Sequence, residues 1–121
     1  MSQDPYSARV RELFAAPQHA GSVAGGIAVL HEDQGLRIGL SAGVAGDSLE
    51  TLRFKAWGCP HVIAAAEEFC GRYEGQPASR LLEFSASDLM QSLSVPVEKT
   101  GRILVLEDAV ASLGRAIIET D

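Results

Sequence analysis

Three stretches of alternating apolar and polar residues follow one another between positions 26 and 56, and no such alternation recurs after Pro60. They occupy residues 26–31, 36–42 and 49–56. Ile38, Leu40 and Ala42 share one face of the second, and Leu52, Phe54 and Ala56 share one face of the third, the period of two that marks half-buried strands. The connections, 32–35 and 43–48, are too short for crossover helices, so an antiparallel meander is predicted. From Pro60 the apolar period becomes helical. Val62, Ile63, Ala66, Phe69, Cys70 and Tyr73 form one stripe that Gly71 weakens and Gly75 ends. A shorter helix with Ser87 as N-cap closes before Pro96, and Ile103, Leu106, Val110, Leu113 and Ile117 make the stripe of a last helix. Ahead of the strands, residues 7–15 carry Val10, Leu13 and Phe14 at helical spacing, and Pro17 forbids continuation. Strands first and helices after predict an α+β fold: a three-stranded antiparallel sheet with helices packed on one face, in a single domain over residues 1–121.

A chain of 121 residues with 46% hydrophobic content can bury a core without disulfides. Sixteen acidic against ten basic side chains give a net charge of −6, with no basic patch, so no nucleic-acid partner is expected. The longest weakly polar run, residues 20–30, is about half of what a membrane helix needs, so no membrane is expected either. Two cysteines are too few for a stapled secreted scaffold. Residues 1–5 carry neither the basic nor the apolar part of a signal peptide, which makes the cytoplasm the expected compartment.

The chemistry concentrates at Gly58-Cys59-Pro60. Cys59 falls where the third strand gives way to a helix, and Pro60 suits the first helical position because its missing N–H would have been unpaired there. At such an N-cap the helix dipole and free N–H groups favour a thiolate, which serves as nucleophile or metal ligand; the plainer alternative is a small residue in a tight turn. His61 either orients or protonates that thiol or is an exposed first-turn residue. Cys70, eleven positions along the same helix and so roughly 16 Å away, cannot pair with Cys59 and reads as a buried, inert thiol. His31-Glu32-Asp33 reads as a solvated tip after the first strand, with a mixed zinc site of His31, Asp33 and Cys59 as the alternative. His19 reads as a loop residue without a catalytic partner. No CxxC, GxSxG, HExxH or phosphate-cradling glycine motif is present, so hydrolase and nucleotide-binding readings lose support.

Four segments in order resemble the NifU-N/IscU-like iron–sulfur cluster scaffold family: residues 10–21 its opening helix and loop, 53–59 its strand-to-helix segment ending in the second ligand cysteine, 96–99 the loop before the third, and 106–109 its last helix. The resemblance implies a cluster or metal held by three cysteines, with an aspartate two residues after the first and a histidine just before the third. Only Cys59 matches a ligand cysteine. Ungapped alignment back from Cys59 puts Asp33 at the first cysteine and Gly35 at the aspartate, while a shifted register puts Ala45 and Asp47 there. Gly101 stands at the histidine and Arg102 at the third cysteine. The metal ligands implied are therefore Cys59 and Asp33. Arg102 cannot coordinate a metal, but beside Cys59 it would stabilise a thiolate or persulfide.

The resemblance implies a divergent scaffold-like protein of iron–sulfur cluster assembly, a scaffold or carrier rather than a turnover enzyme, handling sulfur, iron or a cluster around Cys59. Its cargo would be iron, zinc or a labile iron–sulfur cluster, or none of these. A single-thiol persulfide acceptor, SufE-like in role, is one alternative; a non-catalytic module regulating a scaffold or cysteine desulfurase is another. A cysteine desulfurase and iron–sulfur assembly proteins are the implied partners. In residues 95–99 the loop for an Hsp70-type chaperone keeps one proline and Lys99 but gains Glu98, which argues against that partner.

Overall fold

The computed structural model describes residues 6–33 and 35–120, so the reading of residues 1–5 as lacking a signal peptide lies outside it. The elements run α1 (Ala8–Ala15), β1 (Ile27–Asp33), β2 (Leu36–Ala45), β3 (Ser48–Trp57), α2 (Pro60–Tyr73), a 3-10 turn (Ala78–Glu83), α3 (Ala86–Ser92), a second 3-10 turn (Val97–Lys99) and α4 (Thr100–Thr120). The strands form one antiparallel sheet in the order β1-β2-β3, with the expected helices behind it.

The strands outrun their alternating cores. Asp33 pairs with Leu36 and Ala45 with Ser48, so each connection shrinks to two residues. Gly35 (φ 76°) and Gly46 (φ 64°) supply the left-handed backbone that such tight hairpins need. His31, Glu32 and Asp33 consequently belong to β1 rather than to a loop. The N-cap of α3 also differs from expectation. It is Ser85, whose Oγ accepts from the Ser87 N–H at 3.4 Å, and the helix starts early because the Glu107 carboxylate takes the Ala86 N–H at 3.0 Å.

α4 lies across β1 and β2, and α2 lies beneath β3 with α1, α3 and α4 around it. Enclosed in this way, α2 buries His61, Val62, Ala64, Ala65, Ala66, Glu67, Phe69 and Cys70, more than one stripe. Phe69, Tyr73 and Phe84 pack as an aromatic trio with centroids 5.1–5.7 Å apart. The opposite sheet face is partly covered by the segment joining α1 to β1. There the Val23 N–H donates to Ser41 Oγ at 3.0 Å and leaves Ser41 buried.

The outer edge of β3 is paired along much of its length. Leu49 exchanges bonds with Gln76 and Gly75, the Leu52 N–H donates to the Glu74 carboxylate at 2.9 Å, and Phe54 pairs with His19 and Gly21. Burial alone would raise the Glu74 carboxyl, but the Leu52 N–H, Arg53 at 2.8 Å and the nearby His19 outweigh it and hold it below its ordinary value. A carboxyl lowered by folding stabilises the fold above its ordinary pKa of about 4.5, and that stability is lost as pH falls through the lower folded value. Urea midpoints measured from neutrality down through the carboxylate range should therefore drop more steeply for the wild type than for E74Q; equal slopes would contradict the assignment.

Candidate functional site

β3 ends at Trp57, and Gly58 turns the chain at φ 131° so tightly against the β1–β2 hairpin that a Cβ there would stand 2.3 Å from Leu36 Cδ2. Cys59 follows in extended backbone at the N-cap position of α2, with Pro60 first in the helix, as expected. The sulfur, however, caps no backbone N–H. It faces His61 Nδ1 at 3.6 Å. His61 is not an exposed first-turn residue: at 1% exposure it is buried, with the Tyr6 ring 4.8 Å away at 53° and no hydrogen-bond partner for Nε2 among the described residues. Cys59 itself is 7% exposed.

Positive charge acts on His61. Lys99 immediately precedes α4 and Arg102 sits in its first turn; both are half-buried, and neither has a carboxylate within ion-pair distance among the described residues. Cations at a helix N-terminus oppose the macrodipole, so this placement brings α4 no stability. Burial, then Lys99, then Arg102 push His61 below its ordinary value against the opposing pull of Glu98, which keeps the ring uncharged near neutrality.

Asp33 and Gly35 lie at the same end of the sheet as Cys59, because the hairpin carrying them leads into Leu36, which touches Gly58. Beside them Arg37 bonds Glu32 at 3.0 Å and lies over the Trp57 ring at 5.7 Å. Ala45 and Asp47, the positions of the shifted register, sit at the β2–β3 turn at the other end. His31, Asp33 and Cys59 are not brought together as ligands: among the described residues no three His, Cys, Asp or Glu side chains converge to hold a metal ion. Gly101 offers no side chain beside Arg102.

Cys70 is fully buried, and burial, reinforced by Glu67 and Glu74, pushes its thiol far up. Native alkylation should therefore label Cys59 alone, with Cys70 appearing only in denaturant; early labelling of Cys70 in peptide maps would contradict this. His19 has partners that its local sequence does not announce. The Glu67 carboxylate accepts its backbone N–H at 2.7 Å and meets Nδ1 at 2.5 Å, while Glu74 lies 3.3 Å from Nε2. The cue available in sequence was a pair of acids, Glu67-Glu68, inside the otherwise apolar run of α2, of which Glu67 is the buried one.

The family model for the NifU-like N-terminal domain matches residues 5–117. No curated protein sequence matches the chain. Among solved structures, the N-terminal NifU-like protein of Brucella abortus is similar with a TM-score of 0.73 at 16% identity, covering 95% of each chain. An iron–sulfur cluster assembly scaffold protein for the SUF system, from Fervidobacterium islandicum AW-1, is similar with a TM-score of 0.62 at 15% identity, covering 91% of this chain and 85% of that one. At such identities the likeness speaks for the fold, a three-stranded antiparallel sheet with helices. No helix among the described residues is long and apolar enough to cross a membrane.

Proposed function

Because the chain belongs to the NifU-like N-terminal domain family, we propose that it serves in iron–sulfur cluster assembly as a scaffold-type protein that handles sulfur at one thiol, Cys59. The observation carrying this reading is the pairing of a buried Cys59–His61 contact with two cations, Lys99 and Arg102, that have no carboxylate within ion-pair distance among the described residues. Cations at this end of the sheet attract an anionic cargo and repel a bare metal cation.

The donor set points the same way. A cluster takes four ligand positions, mostly thiolate. At this end of the sheet the chain offers one sulfur, and no metal-holding group forms around it among the described residues. Iron or a cluster as cargo would thus need most of its ligands from a partner. Sulfur needs only one attachment point. The Cys59 thiolate attacks the outer sulfur of a persulfide on a cysteine desulfurase; a new S–S bond forms at Cys59, the donor's S–S bond breaks, and the donor cysteine leaves as thiolate. No oxidant or reductant enters. The protein is then a carrier rather than a turnover enzyme.

Lys99 bears on the chaperone question. It lies close enough to His61 to act on it electrostatically, which places the lysine that the resemblance gives to Hsp70 recognition near this site. Incubation with a desulfurase and cysteine should yield a protein one sulfur atom heavier, with the reducible adduct on Cys59 and none on Cys70 or in C59S. Absence of any adduct on Cys59 would sink the reading.

A further inference from the structure

We propose that a second copy of this chain joins at the outer edge of β1, the two β1 strands running antiparallel about a two-fold axis at Leu30, so that two three-stranded sheets become one. The inference is independent of the sulfur-carrier reading. Its first basis is the direction of the backbone groups. The N–H and C=O of Phe54 bond His19 and Gly21 beyond the edge of β3, so Arg53 and Lys55 are the residues that bond β2, at Ser41 and Gly39. Bonding sides alternate along each strand, hence Ile38 and Leu40 bond β1, at His31 and Val29. The N–H and C=O groups of Ala28, Leu30 and Glu32 therefore point off the sheet, and no hydrogen bond among the described residues takes them. All three residues are exposed, Leu30 at 58%.

The residues of β1 select the register. With the axis at Leu30, that residue meets its own copy and Ala28 meets Glu32 of the second chain, so every outward residue exchanges both bonds with another outward residue. An axis at Val29 would leave Glu32 out, and one at His31 would leave Ala28 out. The charges agree with this arrangement. The carboxylates of β1, Glu32 and Asp33, lie together at one end, and antiparallel pairing sets them beside Ala28 and Ile27 of the copy, whereas parallel pairing would set each acid against its twin. Leu30 also suits the axis: it leans over Gly39 of its own β2, with Cδ1 3.8 Å from the place of an added Cβ, and meets an identical apolar side chain on the helix-free face. Edge strands are commonly kept apart by lysine, proline or a bulge, and β1 has none of these. The same patch serves on both chains, so the contact closes as a pair. The helices of both copies then lie on one side of the joined sheet. Because the β1 strands run in opposite directions, the two Cys59 sites stand at opposite ends of it.

Sedimentation equilibrium of the intact chain over about 1–100 μM should show the mass rising toward twice that of a single chain; a single-chain mass at the top of that range would overturn the proposal. L30K and L30E change an exposed side chain and set like charges across the axis. Each alone should stay single at concentrations where the wild type pairs, and an equal mixture of the two should recover the doubled mass, because position 30 faces itself. A paired L30K, or a mixture that stays single, would refute the register. NMR on wild-type protein, half of it isotope-labelled, reads the register directly. A nuclear Overhauser contact between Val29 Hα of one chain and His31 Hα of the other is expected, since opposed residues of a pair without hydrogen bonds approach to a Cα separation of about 4.5 Å. Its absence from the paired protein would overturn the proposal, and if either variant fails to fold this measurement decides alone.

Discussion

Gly58→Ala is expected to lower the stability of the chain by about 2–6 kcal/mol and to disturb Cys59 in the same stroke. Two effects add. At φ 131° an L side chain is strained in any surroundings, which costs about 1–3 kcal/mol. The added Cβ would also stand 2.3 Å from Leu36 Cδ2, and such overpacking costs about 1–3 kcal/mol more. Relief requires Leu36 to retreat or the β3–α2 turn to open, and the turn is what aims Cys59 at His61. Gly35 is the matched control: at φ 76° with nothing within 4 Å of its Cβ position, G35N should cost no more than about 1 kcal/mol. Urea unfolding gives the first quantity and the Cys59 labelling rate the second. A G58A protein within about 0.5 kcal/mol of wild type would show that Leu36 does not anchor the turn.

Glu67→Ala should cost about 2–4 kcal/mol, somewhat below the usual figure for breaking a buried pair because His19 is 17% exposed. The substitution strands the His19 backbone N–H as well as the imidazole, both of which the carboxylate now receives. E67Q keeps one acceptor in the same place and should recover about half of the loss. A local readout separates this from general weakening. Amide exchange at Gly21 and Phe54, whose bonds tie the α1–β1 connection to β3, should rise in E67A by more than exchange in α4 does. Uniform acceleration everywhere would mean that Glu67 supports the core and not this tether.

The fold was legible because each half of the chain keeps one period. Strand alternation and the stripe from Ile103 to Ile117 led directly to the sheet and α4. Legibility ended where contacts are distant in sequence. His61 is hidden because the chain at Tyr6 packs against a position that an isolated helix would leave wet. The His19–Glu67 pair spans 48 positions and has no periodic signature. Strand ends were missed for a local reason: two-residue hairpins extend pairing past the last apolar residue, into His31, Glu32 and Asp33. The N-cap position of Cys59 was identifiable from the Gly-Cys-Pro junction alone, whereas the direction of its sulfur, toward an imidazole and away from the helix N–H groups, depends on packing.

The covered edge of β3 also bears on how this protein associates with itself. Gly75, Gln76, Glu74, His19 and Gly21 occupy hydrogen-bonding positions at Leu49, Leu52 and Phe54 that a neighbouring strand would need, which favours β1 over β3 for the addition of another strand. Polymerisation needs two sticky sides per unit, and here one side is largely occupied. Misassociation through strand addition is therefore disfavoured beyond two chains joined β1 to β1, and growth into a fibre is easier once the His19–Glu67–Glu74 tether comes loose.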